Sequence, residues 1–300
     1  MPLRYHVGRG AVATGGAARA GCECAGVAGT CGTGMTAVVN GPGSWLRRFA
    51  TAGEAAPRLV CFPHAGGSAS FYRPFAQALS PAIDVLAVQY PGRQDRRAEP
   101  CLTAIPVLAG LICDVLAGVL DRPVAFLGHS MGAVVAFEVA RLLQPGWPGQ
   151  PVRLFVAGRR APTRWRPEDI HTRDDDGVVA AVKALGSAES SLLDDDEIRA
   201  MALPAIRADY RAVETYEYRP GEPLSCPITA LIGADDPLVS LKEARDWEQQ
   251  APPGAFDLRV LPGGHFFLAQ HASAIVPALV KACLTSRPGA GLRPQAEVER

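Results

Sequence analysis

The sequence predicts an α/β domain in which a mostly parallel β-sheet is covered by helices on both faces. From residue 58 onward, short apolar segments alternate with segments of helical periodicity, and this alternation is typical of a parallel sheet. The chain has 300 residues, of which 48% are hydrophobic, enough for one large domain with a buried core. Its formal net charge is zero, which argues against a nucleic-acid binder because phosphate contacts need a basic excess.

Apolar segments bounded by Pro or Gly have the composition of buried strands. In chain order they are RLVCF (58–62), IDVLAVQY (83–90), PVAFLG (123–128), VRLFVAG (152–158), CPITALIG (226–233) and FDLRVLPG (256–263). Apolar residues at helical spacing predict the helices that accompany them. These are FYRPFAQAL (71–79), IPVLAGLICDVLAGVL (105–120), AVVAFEVARLL (133–143) and HASAIVPALVKACL (271–284).

One stretch interrupts this alternation. Residues 160–225 contain only helical patterns, such as DGVVAAVKAL (176–185) and DDEIRAMALPAIRADYRAVETY (195–216). An insertion of about 65 residues is too long for a connecting loop. We therefore predict a small helical lid within a domain that spans residues 41–285.

The two ends of the chain have a different composition. Residues 1–40 are rich in Gly, Ala and Thr, without periodicity and without the apolar core of a secretory signal, so a disordered leader is expected. Translation that starts at Met35 is a further hypothesis. Residues 286–300 predict a flexible tail. Because no segment resembles a membrane span, we expect a soluble, cytoplasmic protein.

The cysteines give no sign of a metal site. Cys22, Cys24 and Cys31 cluster in the leader, but their spacing matches no zinc site, and incidental cysteines are the preferred interpretation. The others are scattered singly, as expected of reduced thiols: Cys61, Cys101, Cys113, Cys226 and Cys283.

The segment Gly128-His129-Ser130-Met131-Gly132 joins a predicted strand to a predicted helix. In a G-x-S-x-G turn of this kind the serine is exposed on a sharp bend, and its neighbours must be small because strand and helix approach closely. We predict that Ser130 is a nucleophile and that the Met131 N–H points at a developing oxyanion. A plain tight turn is the alternative.

A serine nucleophile needs a base, and the base needs an orienting carboxylate. The order expected after this turn is acid, then histidine. Asp235 and Asp236 follow the strand 226–233, and His265 follows the strand 256–263. Both positions are strand ends at the edge where open α/β sheets build their sites. We predict His265 as the base and favour Asp236 over Asp235 as the acid, since the proline after Asp236 starts a turn.

The loop after the first strand predicts the second oxyanion donor. His64, Ala65, Gly66 and Gly67 follow the strand 58–62 almost directly, and two glycines allow a backbone to approach a substrate closely. Ala65 N–H is the predicted donor. His64, Gly66 and Gly67 are predicted to contact substrate, with His64 shaping the loop rather than acting as a second base.

Taken together, these segments resemble the type II thioesterases, which are discrete α/β-hydrolases associated with modular polyketide synthases and nonribosomal peptide synthetases. The resemblance covers about residues 44–284. Its motifs occur in matching order: LVCFPHAGGSASFYRPFAQAL, VLAVQYPGRQDRR, FLGHSMGAVVAFEVARLL, LPAIRADYRAVETYEY, CPITALIGADDPLV and LPGGHFFL.

The resemblance implies an α/β-hydrolase fold and hydrolysis of acyl groups from the phosphopantetheine arm of an acyl or peptidyl carrier protein. It implies a Ser130–His265–Asp236 triad, with the Ala65 and Met131 amides as the oxyanion hole. The helical insertion would bound the acyl pocket. No metal and no cofactor of the enzyme's own is expected, since the substrate brings the phosphopantetheine, and a monomer is expected.

Two questions remain open at the level of sequence. Fold and triad do not choose the ester, so a carboxylesterase or lipase is the alternative to a thioesterase, whereas the complete triad argues against a silent acyl-binding module. Several arginines could meet an acidic carrier protein or simply form a solvated basic rim: Arg93, Arg96, Arg97, Arg159, Arg160, Arg164 and Arg166.

Overall fold

A computed structural model describes residues 42–143 and 151–272, together with residues 275, 277 and 279. The predicted leader 1–40, the predicted tail 286–300 and most of the predicted helix 271–284 lie outside the described residues. None of the helices within the described ranges is long and apolar enough to cross a membrane.

A seven-stranded sheet forms the centre of the domain, with the strand order β1-β3-β2-β4-β5-β6-β7. Only β1 is antiparallel to its neighbour, and the other adjacent strands are parallel, which confirms the predicted mostly parallel sheet. The strands are β1 (Leu46–Arg47), β2 (Arg58–Phe62), β3 (Asp84–Val88), β4 (Val124–His129), β5 (Arg153–Ala157), β6 (Ile228–Gly233) and β7 (Phe256–Leu261).

Helices cover the sheet on both faces, and alternate residues of each central strand enter different cores. Val60 and Phe62 of β2 pack into one hydrophobic cluster, while Leu59 and Cys61 pack into the other. The helices are α1 (Pro42–Trp45), α2 (Arg73–Leu79), α3 (Ile105–Ala117), α4 (Met131–Leu143), α5 (Asp175–Ala184), α6 (Asp196–Glu214), α7 (Leu241–Arg245) and α8 (Phe267–Gln270).

The predicted helical lid lies between β5 and β6. It contains α5 and α6 with two 3-10 turns, Ile170–Thr172 and Ala188–Asp194. Side-chain caps start both helices, because Asp174 accepts from Gly177 N–H and Asp195 accepts from two amides of the first turn of α6. The lid has its own small core, against which Ala65 of the loop after β2 packs. The lid therefore contacts the loop that the sequence assigns to the oxyanion hole.

Candidate active site

Ser130 lies on a strained turn between β4 and α4. Its φ of 53° is in the left-handed region that a residue with a side chain rarely adopts. A Cβ atom at Gly128 would lie 2.2 Å from the Gly132 carbonyl oxygen, and one at Gly132 would lie 2.0 Å from the Phe62 carbonyl oxygen. Both positions therefore require glycine, because β2, β4 and α4 meet here backbone to backbone. The geometry is that of a nucleophile elbow.

His265 and Asp236 come together from the ends of two neighbouring strands, β7 and β6. His265 Nδ1–H donates to Asp236 Oδ2 at 2.9 Å and lies 3.1 Å from Oδ1, and both side chains are almost fully buried. Asp236 Oδ1 also accepts from Leu238 N–H at 2.8 Å. Since a carboxylate only accepts, neutral His265 carries its proton on Nδ1, which leaves Nε2 free to accept one. Asp235 is exposed to solvent, and so the histidine's partner is Asp236.

Ser130 and His265 line the same cavity, of about 40 Å³, together with Ala65. A larger cavity of about 230 Å³ lies beside it, beneath the lid. Four residues line both cavities: His64, Ala65, Val182 and Phe266. Gly66 and Gly67, which the sequence predicts to contact substrate, line the larger cavity. The predicted nucleophile and base thus open towards a space that the lid bounds.

The two predicted oxyanion donors are the Ala65 and Met131 N–H groups. Within the described part of the chain, neither donates a hydrogen bond to another group of the protein. The next two amides of the loop are engaged: Gly66 N–H donates to Asp209 at 2.8 Å, and Gly67 N–H donates to the His64 carbonyl at 2.9 Å. Ala65 and Met131 therefore remain the donors that a substrate oxygen could use, as the sequence predicts.

Two further histidines surround His265, and both are neutral. Burial is the main cause that lowers the pKa of His64 to about 3, followed by repulsion from the His265 ring when that ring is protonated and from Arg93. Burial also holds the pKa of His129 well below its usual range. A base this weak takes a proton poorly at neutral pH, which agrees with the prediction that His64 shapes the loop rather than acting as a second base.

His129, which the sequence predicts only as part of the turn, contacts the backbone of the predicted base His265. Its Nε2–H donates to the His265 carbonyl at 2.9 Å, and its Nδ1 lies 3.4 Å from Nδ1 of His64. Because neutral His129 carries one proton, its Nδ1 accepts from His64. The residue before the nucleophile thus links the loop after β2 to the backbone of His265.

Both predicted roles of the arginines, docking of a carrier protein and a solvated basic rim, are wrong for three of them. Arg93, Arg96 and Arg160 are buried, so their guanidinium groups cannot meet a partner. Each is paired inside the domain: Arg93 with Asp209 at 2.6 Å, Arg96 with Glu99 at 2.6 Å and Arg160 with Glu168 at 2.7 Å. Burial of an arginine requires such partners.

Arg159 has a different environment from the other arginines. It lines the cavity of Ser130, and its guanidinium forms no hydrogen bond or ion pair with any residue in the described ranges. Burial and the neighbouring Arg160 lower its pKa to about 10, so it stays charged at neutral pH.

No cluster of histidine, cysteine or acidic side chains in the described ranges is arranged to hold a metal ion.

A parallel sheet with a nucleophile elbow, an inserted helical lid and acid and base at successive strand ends defines an α/β-hydrolase. Residues 57–285 match the Thioesterase domain family, and the chain belongs to that family. The resemblance to type II thioesterases is thereby confirmed.

Two Streptomyces proteins are similar to this chain in sequence. The chain is 52% identical over 232 residues to the "Probable cadicidin biosynthesis thioesterase" of Streptomyces griseus, an alignment that covers 77% of this chain and 63% of that protein. It is 45% identical to Thioesterase PikA5 of Streptomyces venezuelae, covering 75% and 80%.

Solved structures of thioesterases are also similar to this chain. The type II thioesterase BorB from the borrelidin biosynthetic cluster has a TM-score of 0.75 and 47% identity, covering 83% of this chain and all of that one. The RedJ thioesterase from the prodiginine pathway of Streptomyces coelicolor has a TM-score of 0.72 and 35% identity, covering 78% and 88%.

Proposed function

We propose that this protein is an editing, type II thioesterase, which hydrolyses acyl thioesters from the phosphopantetheine arm of carrier proteins in polyketide or nonribosomal peptide synthesis. The observation that carries the proposal is the buried Asp236–His265 pair, whose histidine lines the same cavity as the strained Ser130. Family membership and the names of the similar proteins support the thioester substrate.

The mechanism follows from this arrangement. His265 Nε2 accepts the Ser130 proton while Oγ attacks the thioester carbon, and the resulting oxyanion accepts from the Ala65 and Met131 amides. Asp236 stabilises the imidazolium that forms. Collapse breaks the C–S bond, and the pantetheine thiolate leaves with the proton from His265. A water molecule, deprotonated by the same histidine, then hydrolyses the acyl-enzyme and restores the Ser130 hydroxyl.

The acyl chain would occupy the larger cavity beneath the lid. Apolar side chains from the lid line it, among them Leu193, Ile198 and Ile206, as an acyl chain requires. The carrier protein would approach the mouth of this cavity, and of the seven arginines Arg97 and Arg164 are exposed and so accessible to an acidic partner. The proposed enzyme is cytoplasmic and uses no cofactor beyond the phosphopantetheine arm of its substrate. It is proposed to be a monomer, and analytical ultracentrifugation measures this oligomeric state directly.

Comparison of three substrates tests the proposal. Acyl-carrier protein, acyl-CoA and a p-nitrophenyl ester would be hydrolysed by the wild type and by Ser130→Ala. We expect turnover of both thioesters, abolished in Ser130→Ala. Ser80→Ala is the control, because the Ser80 hydroxyl donates to the Thr51 carbonyl and Ser80 lines neither of the two cavities. Fast ester turnover without carrier-protein activity would identify a carboxylesterase instead. Thioester turnover that survives in Ser130→Ala would overturn the mechanism.

A further inference from the structure

A carboxylate of the lid contacts the oxyanion loop directly. Asp209 lies on α6 and is 1% exposed. Its Oδ2 accepts from Gly66 N–H at 2.8 Å. The same carboxylate pairs with Arg93, with Nη1 at 2.6 Å from Oδ2 and Nη2 at 2.9 Å from Oδ1. A charged acceptor on a backbone amide makes a strong hydrogen bond, and a bidentate arginine fixes the direction of that acceptor.

Arg93 extends the contact to the other side of the loop. It follows β3, and its Nη1–H also donates to the Gly67 carbonyl at 3.0 Å. The negative charge of Asp209 raises the pKa of Arg93 against the opposing effect of burial. The segment Gly66–Gly67 is therefore held at an N–H by the lid and at a C=O by the arginine.

The lid helix also touches this loop sterically. Gly66 has a φ of 75°, and a Cβ atom there would lie 2.7 Å from Cγ1 of Ile206, one turn before Asp209 on α6. Two successive glycines give a loop unusual conformational freedom, so its conformation must be fixed by contacts with its surroundings. The structure supplies those contacts from α6 and from Arg93.

We propose that Asp209 is a positioning residue for the oxyanion hole. By accepting the Gly66 N–H it fixes the peptide next to Ala65, so that the Ala65 N–H stays directed at the cavity of Ser130. It also keeps the Gly66 amide out of the hole. The inference rests on the proposed serine mechanism, and it gives α6 a part in catalysis besides bounding the acyl pocket.

The alternative is an ion pair that only stabilises the fold, and a set of variants separates the two. Asp209→Ala removes the acceptor. Asp209→Asn can keep an oxygen at the Oδ2 position, facing both Gly66 N–H and Arg93, while losing the charge. Glu214→Ala is the matched control, because Glu214 is also a buried acid of α6 but accepts from the Ile170 and His171 amides, within the lid.

The measurements are thermal unfolding by circular dichroism, kcat and KM for a p-nitrophenyl ester, and the dissociation constant of an alkylboronic acid, whose serine adduct places an oxygen in the hole. For Asp209→Ala we expect kcat to fall about 10- to 100-fold, less than the 100- to 1000-fold cost of deleting a donor. KM should change little, and boronate affinity should fall in parallel with kcat.

Asp209→Asn should recover most of kcat although it loses stability, and Glu214→Ala should keep kcat within about threefold of wild type. Wild-type kcat in folded Asp209→Ala, an Asn variant no better than Ala, or an equal loss in Glu214→Ala would each overturn the proposal.

If Asp209→Ala does not fold, the double variant Asp209→Leu/Arg93→Met leaves neither charge unpaired and should show the same loss of kcat and boronate affinity. Undiminished boronate affinity in that variant would count against the proposal. Since these assays use an ester and a boronate, failure to hydrolyse thioesters would refute the proposed function and leave this comparison intact.

Discussion

Replacing Gly132 by alanine tests whether the elbow around Ser130 has room for a side chain. In an ordinary helix interior this change stabilises by about 1 kcal/mol. Here the new methyl carbon would lie 2.0 Å from the Phe62 carbonyl oxygen and 2.5 Å from that of Pro63, whereas C···O contacts are normally about 3.3 Å or longer. Both obstacles are backbone atoms, so the end of β2 and α4 would have to separate by about 1 Å. Because overpacking costs about 1–3 kcal/mol even where side chains can adjust, we expect a destabilisation of at least about 3 kcal/mol.

Gly110→Ala supplies the control. Gly110 also lies inside a helix, α3, but an added Cβ atom would meet nothing within 4 Å. It should therefore stabilise by up to about 1 kcal/mol. Urea unfolding of the two variants and the wild type gives the three free energies of unfolding, and kcat on the folded fraction reports the elbow. A Gly132→Ala protein as stable as Gly110→Ala, with full activity, would refute the reasoning.

Two further predictions concern the histidines. Asp236→Asn should lower kcat by about 10³- to 10⁴-fold, because an amide can present its own N–H to His265 Nδ1 and favour the wrong tautomer. The control Asp235→Asn, at an exposed position, should keep a kcat near that of the wild type. Equal losses of kcat in both variants would contradict the assignment of Asp236. The depressed pKa of His64, about 3, predicts a pH effect on stability. Between the unfolded value near 6.5 and about 3, the unfolded chain binds a proton that the folded one does not, so the free energy of unfolding falls as the pH is lowered through this window. His64→Gln should reduce that slope by up to about 1.4 kcal/mol per pH unit, as measured by urea unfolding between pH 7 and 4.5. An unchanged slope would show that His64 protonates in the folded protein.

The residues of the candidate site could be selected from the sequence because each is tied to a local signal. Ser130 follows a strand and precedes a helix, and Asp236 and His265 come three and four residues after the ends of β6 and β7. Parallel strands bring their carboxyl ends to one edge of the sheet. The position of each residue just after a strand therefore predicts that residues far apart in the sequence lie together at this edge. The Asp236–His265 hydrogen bond is the result.

The short first strand and the buried arginines lacked such a signal. β1 has two residues, Leu46–Arg47, too few to show alternation. Arg93 stands among charged and turn-forming residues that are typical of a surface loop, and its partner Asp209 is 116 positions away. An arginine is buried only where the folded chain places a partner beside its guanidinium group. The local composition does not show which residue that partner is.

The two glycines of the HAGG segment have a structural role that the sequence does not predict. The sequence predicts that Gly66 and Gly67 let the backbone approach a substrate, and both line the larger cavity. The tightest contact at Gly66, however, is with Ile206 of the lid, and at Gly67 with the ring of His64. The absence of side chains at these positions is therefore required by the protein itself. Because α6 presses on this loop through Ile206 and holds it through Asp209, a large movement of α6 would disturb the Ala65 amide. Changes that widen the acyl pocket without loss of catalysis are accordingly expected in the 3-10 turn Ala188–Asp194, whose Ser190, Leu192 and Leu193 line the cavity, rather than at the middle of α6.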